Sequence, residues 1–145
     1  MLREQLVGTW KLVSYTERDH PSGPARYPHG PDAIGLIIYT ADGYMSAQIM
    51  TQHRPLYDRP TPNGGTTEQA ATGYLAYSGP YTVDEATGDV QHDVTVSLLP
   101  NWLNQPQLRH SHLQADRLTL TAESPQPDGT TLLSTLKWVR AATGE

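Results

Sequence analysis

The stretch Ile34-Gly35-Leu36-Ile37-Ile38-Tyr39-Thr40-Ala41-Asp42-Gly43-Tyr44-Met45-Ser46-Ala47-Gln48-Ile49-Met50-Thr51 decides the fold. Its first and last parts are rich in β-branched and aromatic residues, the types that suit a pleated surface. Between them stands Ala41-Asp42-Gly43, and an Asp-Gly pair flanked by two such runs is the signature of a β-hairpin. The reading is therefore two strands, Ile34 to Thr40 and Tyr44 to Thr51, joined by a tight turn and so antiparallel.

Working outward, the apolar pattern keeps a period of two almost everywhere. Residues 2–6 read as one helical turn, and Gly8 to Asp19 as a long strand with Trp10 and Leu12 on one face. His20 to Asp32 carries four prolines and reads as a loop. A second Pro/Gly-rich loop covers 52–65. Thr66 to Tyr77 breaks the β pattern with a Thr cap, Glu68 in the first turn and Ala70, Ala71, Leu75 and Ala76, and is read as a short helix closed by Ser78-Gly79-Pro80. Tyr81 to Asp84, Val90 to Leu99, Gln107 to Gln114, Arg117 to Glu123 and Thr130 to Arg140 follow as strands. The expected architecture is all-β, one domain over 1–145, with about eight antiparallel strands and one short helix. Such a set closes into an up-and-down barrel, which removes exposed edges and leaves room for one small ligand. A two-sheet sandwich is the competing arrangement.

Composition narrows the function classes. The chain has 145 residues, with 12 Gly and 12 Pro, a density of turn formers that argues against a helical bundle. There is no Phe, but 8 Tyr and 3 Trp supply apolar area, and the net charge is −5. The core should be modest and the interior incompletely packed. With no Cys there is no disulfide, thiol nucleophile or cysteine metal site. No apolar run approaches a membrane span. Met1-Leu2-Arg3-Glu4-Gln5 lacks the apolar stretch of a secretory signal, so a cytoplasmic protein with no membrane partner is expected. Ten scattered basic residues do not make a nucleic-acid footprint. No phosphate-loop, dinucleotide, zinc-protease or calcium-loop motif is present, and no cofactor is expected.

The candidate site residues come from strand faces. Val90, His92, Val94, Val96 and Leu98 share one face of the strand from Val90, and Gln91, Asp93, Thr95 and Ser97 the other. His92 thus belongs to the apolar, inward row, where it needs a hydrogen-bond partner or a ligand. It is either a core histidine bonded to a tyrosine hydroxyl or a group of the site. Arg109 shares a face with Gln107 and Ser111 on a strand whose two faces are both mixed. Inward, it is a cation for a carboxylate, enolate or phenolate; outward, an ordinary solvated arginine. Tyrosines join an apolar body to a polar tip, which suits a cavity for a partly polar ligand. Tyr39, Tyr44, Tyr77 and Tyr81 are taken as ligand-binding candidates, with Met45, Gln48 and Trp102 beside them. Trp102 is placed to line or gate the mouth. His110 and His112, two apart, lack a third ligand nearby and make a poor metal site, so no metal is expected.

Several segments together resemble the lipocalin-like domain family of small bacterial and fungal proteins: Gly8-Thr9-Trp10 after a one-turn helix, Leu36 to Ser46, Ala76 to Asp84, Val90-Gln91-His92-Asp93-Val94, and Ser97-Leu98-Leu99-Pro100-Asn101-Trp102. The likeness runs from Leu6 to about Val139. It implies a calycin-type barrel with an internal cavity, and an arginine of the last strand, here Arg140, packed on Trp10 of the first. Fold does not fix function. The first expectation is a barrel that binds a small hydrophobic or amphipathic molecule. The alternative is a cofactor-independent enzyme in the same cavity, an isomerase, cyclase or cycloaddition catalyst, some relatives of the family occurring with natural-product biosynthetic enzymes. His92 would then act as acid or base, and Arg109 or a tyrosine would stabilise developing charge. A barrel that is simply filled is the third.

Overall fold

A computed structural model describes residues 1–20 and 22–143. Pro21, in the first Pro-rich loop, and Gly144 and Glu145, at the end of the expected domain, lie outside the described residues. Among the described residues nine strands follow one another: β1 (Gly8–His20), β2 (Ile34–Tyr39), β3 (Tyr44–Met50), β4 (Tyr74–Val83), β5 (Asp89–Asp93), β6 (Val96–Ser97), β7 (Pro106–Gln114), β8 (Arg117–Pro125) and β9 (Thr131–Arg140). Two five-residue helices, α1 (Leu2–Leu6) and α2 (Thr67–Ala71), and a 3-10 turn at Pro100–Trp102 complete the set.

The sheet order is β3-β2-β1-β9-β8-β7-β5-β4, and β3 pairs back onto β4. That last ladder, Tyr44↔Pro80 through Met50↔Tyr74, closes eight antiparallel strands into a barrel and excludes the open sandwich. The two-residue β6 is a short addition to β4. No helix among the described residues is long and apolar enough to cross a membrane.

Two expectations are corrected. The helix read over 66–77 stops at Ala71. Thr66 and Gln69 form a capping box that starts it, but Gly73 has φ +74 and ends the helical run. Tyr74 to Val83 then find a full ladder on β3, a tertiary gain that overrides local helix propensity. The strand read from Val90 to Leu99 is broken after Asp93. Val90, His92 and Val94 are buried as the alternation requires, but Val96 is 66% and Leu98 44% exposed. The break falls where the chain crosses β4 at Gly79: a Cβ there would collide with the Asp93 carbonyl oxygen. Thr95 N–H then donates to Ser78 O at 2.9 Å, restarting the ladder in a new parity.

The core runs along the barrel axis through Trp10, Ile37, Tyr39, Met45, Ile49, Tyr77, Tyr81, Val90, Leu118, Leu120 and Trp138. One end is shut by α1. Leu6 is fully buried, and the Trp10 indole N–H donates to Leu6 O at 2.9 Å. The Arg140 guanidinium lies 4.1 Å over the Trp10 ring, as the resemblance implied. It also donates to Val7 O at 3.0 Å and Gln5 O at 2.6 Å, and its Nε lies 3.6 Å from an Asp116 carboxylate oxygen. Gly8, with φ +132, makes room for this: a Cβ there would sit 2.8 Å from Arg140 Nη1.

Candidate functional site

Opposite α1 the barrel holds a cavity of about 240 Å³. Its wall is mixed, with Ile37, Ala47, Ile49, Leu120, Leu136 and Trp138 among its apolar lining residues. The polar lining groups are Tyr15, Glu17, Tyr77, Gln107, Arg109, Ser124 and Ser134, and Trp102 stands at its edge. The size lies just below the roughly 300–1,000 Å³ usual for drug-sized ligands, and the lining is more polar than is usual for such sites.

Strand geometry brings these side chains together. On β7 the pleat turns Gln107 and Arg109 inward and leaves Leu108 and His110 outside. On β1 a bulge between Leu12 and Ser14 shifts the register. It puts Tyr15 and Glu17 on the same inner side as Trp10 and Leu12, which strict alternation would not do. The Tyr15 hydroxyl donates to Glu17 at 3.0 Å. Burial, then the Glu17 charge, pushes the Tyr15 phenol above its ordinary value.

His92 stands behind the cavity wall. It is fully buried, with Nε2 2.7 Å from the Tyr39 hydroxyl and Nδ1 2.9 Å from the Tyr77 hydroxyl. Burial, followed by the Arg109 charge, pushes its pKa down to about 3, so the ring is neutral at ordinary pH. Burial also raises the Tyr39 and Tyr77 phenols. At Tyr77 the charge of the Arg109 guanidinium opposes that rise. Arg109 further donates to Leu108 O at 3.0 Å and reaches Gln107 Oε1 at 3.5 Å. Among the described residues, no carboxylate forms a salt bridge with it. The Trp102 ring meets Tyr77 edge-on, with centroids 5.2 Å apart.

Of the candidates named from the sequence, Tyr77, Trp102 and Arg109 line the cavity, and His92 and Tyr39 lie behind Tyr77. Met45 and Tyr81 are buried away from the cavity lining. Tyr81 donates to Thr40 O at 2.9 Å and stands T-shaped to Tyr39. Tyr44 and Gln48 are corrections. Met45, Ala47 and Ile49 are the buried row of β3, so the pleat sends Tyr44, which is 55% exposed, and Gln48 to the outer face. Gln48 there donates to Ser46 Oγ at 2.6 Å. His110 and His112 are exposed on the outside, and His110 lies 3.0 Å from Asp89. The 52–65 loop and α2 contribute no lining residue; they frame a separate outer groove from Thr51 to Gly73. Tyr15 and Glu17 were missed because no residue type announces the bulge that turns them inward. Gln107 carried a signal, since it shares the Arg109 face.

Comparison with known proteins agrees with this geometry. The sequence profile of the lipocalin-like domain matches residues 7–141. The chain is also similar to the 4'-hydroxy-3'-methoxypropiophenone carrier protein of Aspergillus oryzae. The two are 37% identical over 90 residues, covering 56% of this chain and 81% of that protein.

Proposed function

The chain belongs to the lipocalin-like domain family, and we propose that it is a carrier whose barrel holds one small, single-ring aromatic molecule with polar substituents. The observation that carries this reading is the barrel cavity of about 240 Å³, lined by apolar and polar side chains together, in which Arg109 forms no salt bridge among the described residues. A half-buried guanidinium that forms no ion pair keeps donors for a ligand that enters the cavity. The similarity to a protein named as carrier of a methoxylated hydroxyphenyl ketone points to the same ligand size. No observation favours the isomerase, cyclase or cycloaddition reading. Both His92 nitrogens are occupied by tyrosine hydroxyls, and a pKa near 3 is far from that of an acid or base working near neutrality. A cytoplasmic location is part of the proposal, and cell fractionation checks it.

Titration calorimetry with 4'-hydroxy-3'-methoxypropiophenone and a set of single-ring phenols tests the reading. Saturable one-to-one binding in the micromolar range is expected. Absence of binding to every compound at millimolar concentration overturns it.

A further inference from the structure

The donors and acceptors behind the cavity wall do not balance, and the imbalance defines the ligand. A neutral imidazole has one N–H donor and one acceptor nitrogen. His92 faces a tyrosine hydroxyl at each nitrogen, Tyr39 at Nε2 and Tyr77 at Nδ1. One tyrosine therefore donates to the ring; the other accepts from it and keeps its own proton for another partner.

The surroundings decide which is which. Among the described residues the Tyr39 hydroxyl has no hydrogen-bond partner other than His92, and Tyr39 is fully buried behind the cavity. If it accepted from Nε2–H, its proton would be stranded, an unsatisfied buried donor that bears its full desolvation cost. If it donates to Nε2, nothing is stranded there. Nδ1–H then donates to the Tyr77 oxygen at 2.9 Å, and the Arg109 guanidinium lines the same cavity. Having accepted from the ring, the Tyr77 hydroxyl keeps its own proton to offer, and Tyr77 lines the cavity. Its ring is held by the edge of Trp102.

We propose that His92 is fixed as the Nδ1–H tautomer, that Tyr77 consequently presents its O–H to the cavity beside Arg109, and that this pair of donors selects ligands carrying a neutral acceptor oxygen, a ketone or aldehyde conjugated to an aromatic ring. This rests on the carrier reading and deepens it. Neutral carbonyls are favoured over carboxylates because the Glu17 carboxylate lines the same cavity and repels a second negative charge. The Tyr15 proton is already given to Glu17, so Tyr15 does not compete for the acceptor.

Two measurements test the proposal. In protein carrying ¹⁵N-labelled histidine, long-range ¹H–¹⁵N spectra read the tautomer directly and need no ligand. A protonated Nδ1 and an unprotonated Nε2 at His92 are expected; the reverse assignment overturns the proposal. Calorimetry then compares 4'-hydroxy-3'-methoxypropiophenone with 2-methoxy-4-propylphenol, in which a methylene replaces the carbonyl. The ketone is expected to bind about 10- to 100-fold more tightly, and Tyr77→Phe to reduce that preference to about 3-fold or less. Equal binding of the two compounds by the wild-type protein overturns the donor-pair proposal and leaves the carrier reading standing, whereas binding of neither overturns the carrier reading itself. Tighter binding of 4-hydroxy-3-methoxybenzoate than of the ketone overturns the preference for a neutral acceptor. Should Tyr77→Phe fail to fold, the tautomer and the two-compound comparison on the wild-type protein still decide.

Discussion

The two ends of this barrel use similar residues to opposite effect. At the α1 end a tryptophan and an arginine are fully engaged: the Trp10 N–H reaches Leu6 O, and Arg140 stacks on Trp10 and donates to two carbonyls. At the cavity end another tryptophan and another arginine are under-used. Trp138 Nε1 is buried without a partner among the described residues, and Arg109 lacks a carboxylate. His29 stands near the same end, 5.7 Å from the Tyr15 ring, and its buried Nδ1 is also without a partner. Buried polar groups are normally satisfied, so the contrast separates a plug from a receptacle. Where the bonds close among protein groups, the residues serve stability; where they stay open, the carrier reading proposed above gives them to a ligand.

The comparison breaks most visibly at the plug. Trp10→Ala is expected to cost about 3–5 kcal/mol of stability, by loss of buried aromatic volume. Arg140→Ala should cost about 1–3 kcal/mol, through lost packing and unpaired carbonyls. Thermal and denaturant unfolding measure both. Ligand affinity of the folded fraction should stay within about twofold, since a lost contact 1.4 kcal/mol strong would change it tenfold. A large fall in affinity with an unchanged melting temperature would show that the plug is part of the receptacle.

The histidine between the ends gives a pH signature. His92 has a folded-state pKa of about 3 against an ordinary value of 6.5. The unfolded chain therefore binds the proton first as pH falls. The His92 contribution is complete above pH 6.5 and is lost progressively down to about pH 3, at about 1.4 kcal/mol per pH unit. Between pH 6.5 and 5 that is about 2 kcal/mol. Denaturant unfolding at a series of pH values should show a shallower decline in His92→Gln than in the wild type. The depressed His29 pKa, mainly an effect of burial, contributes in the same direction in both proteins, so the difference between the curves isolates His92. Parallel curves would mean that His92 is solvated or charged in the folded state.

Arg109 sharpens the contrast with Arg140. Arg109→Met should leave stability within about 0.5 kcal/mol of the wild type, because no ion pair is lost. Affinity for an acceptor-bearing ligand should fall about tenfold, the weight of one charge-assisted hydrogen bond. Calorimetry beside a melting curve reads both quantities, and a fall in stability as large as that of Arg140→Ala would erase the distinction between the two arginines.

How much of this was legible in the sequence follows from where the pleat is regular. Ile34 to Thr51 gave the hairpin because its alternation and its Asp-Gly turn agree, and each is local. His92 was placed inward by Val90 and Val94 on either side of it, and both are buried with it. Legibility ended at irregularities set by distant chain. The bulge after Leu12 depends on pairing with β9, and it brings Tyr15 and Glu17 into the cavity. The kink at Asp93–Thr95 depends on β4 passing at Gly79. Arg109 was undecided because both faces of β7 are mixed, and only the neighbouring ladder with β5, Val90↔Arg109, fixes its side. The Tyr39–His92–Tyr77 bonds join residues 53 and 15 positions apart, a proximity that no local pattern encodes.

The smallest expected effect tests the same distinction within one strand. Tyr44 and Gln48 share one face of β3 and end in polar groups, which suits a ligand contact, yet the row of Met45, Ala47 and Ile49 is the one that is buried. A residue on the outer face is separated from the ligand by the sheet itself, so Tyr44→Ser and Gln48→Ala should each change affinity by less than about twofold and stability by no more than about 0.5 kcal/mol. Ala47→Leu, one position from Gln48, points the other way. Ala47 lines the cavity, and the added methylenes would occupy ligand space rather than solvent, lowering affinity while keeping or raising stability by filling a void. Calorimetry on the three variants reads the outcome. Affinity lost in Gln48→Ala and retained in Ala47→Leu would mean that the strand lies one residue out of register, which would turn every side chain on it to the opposite face.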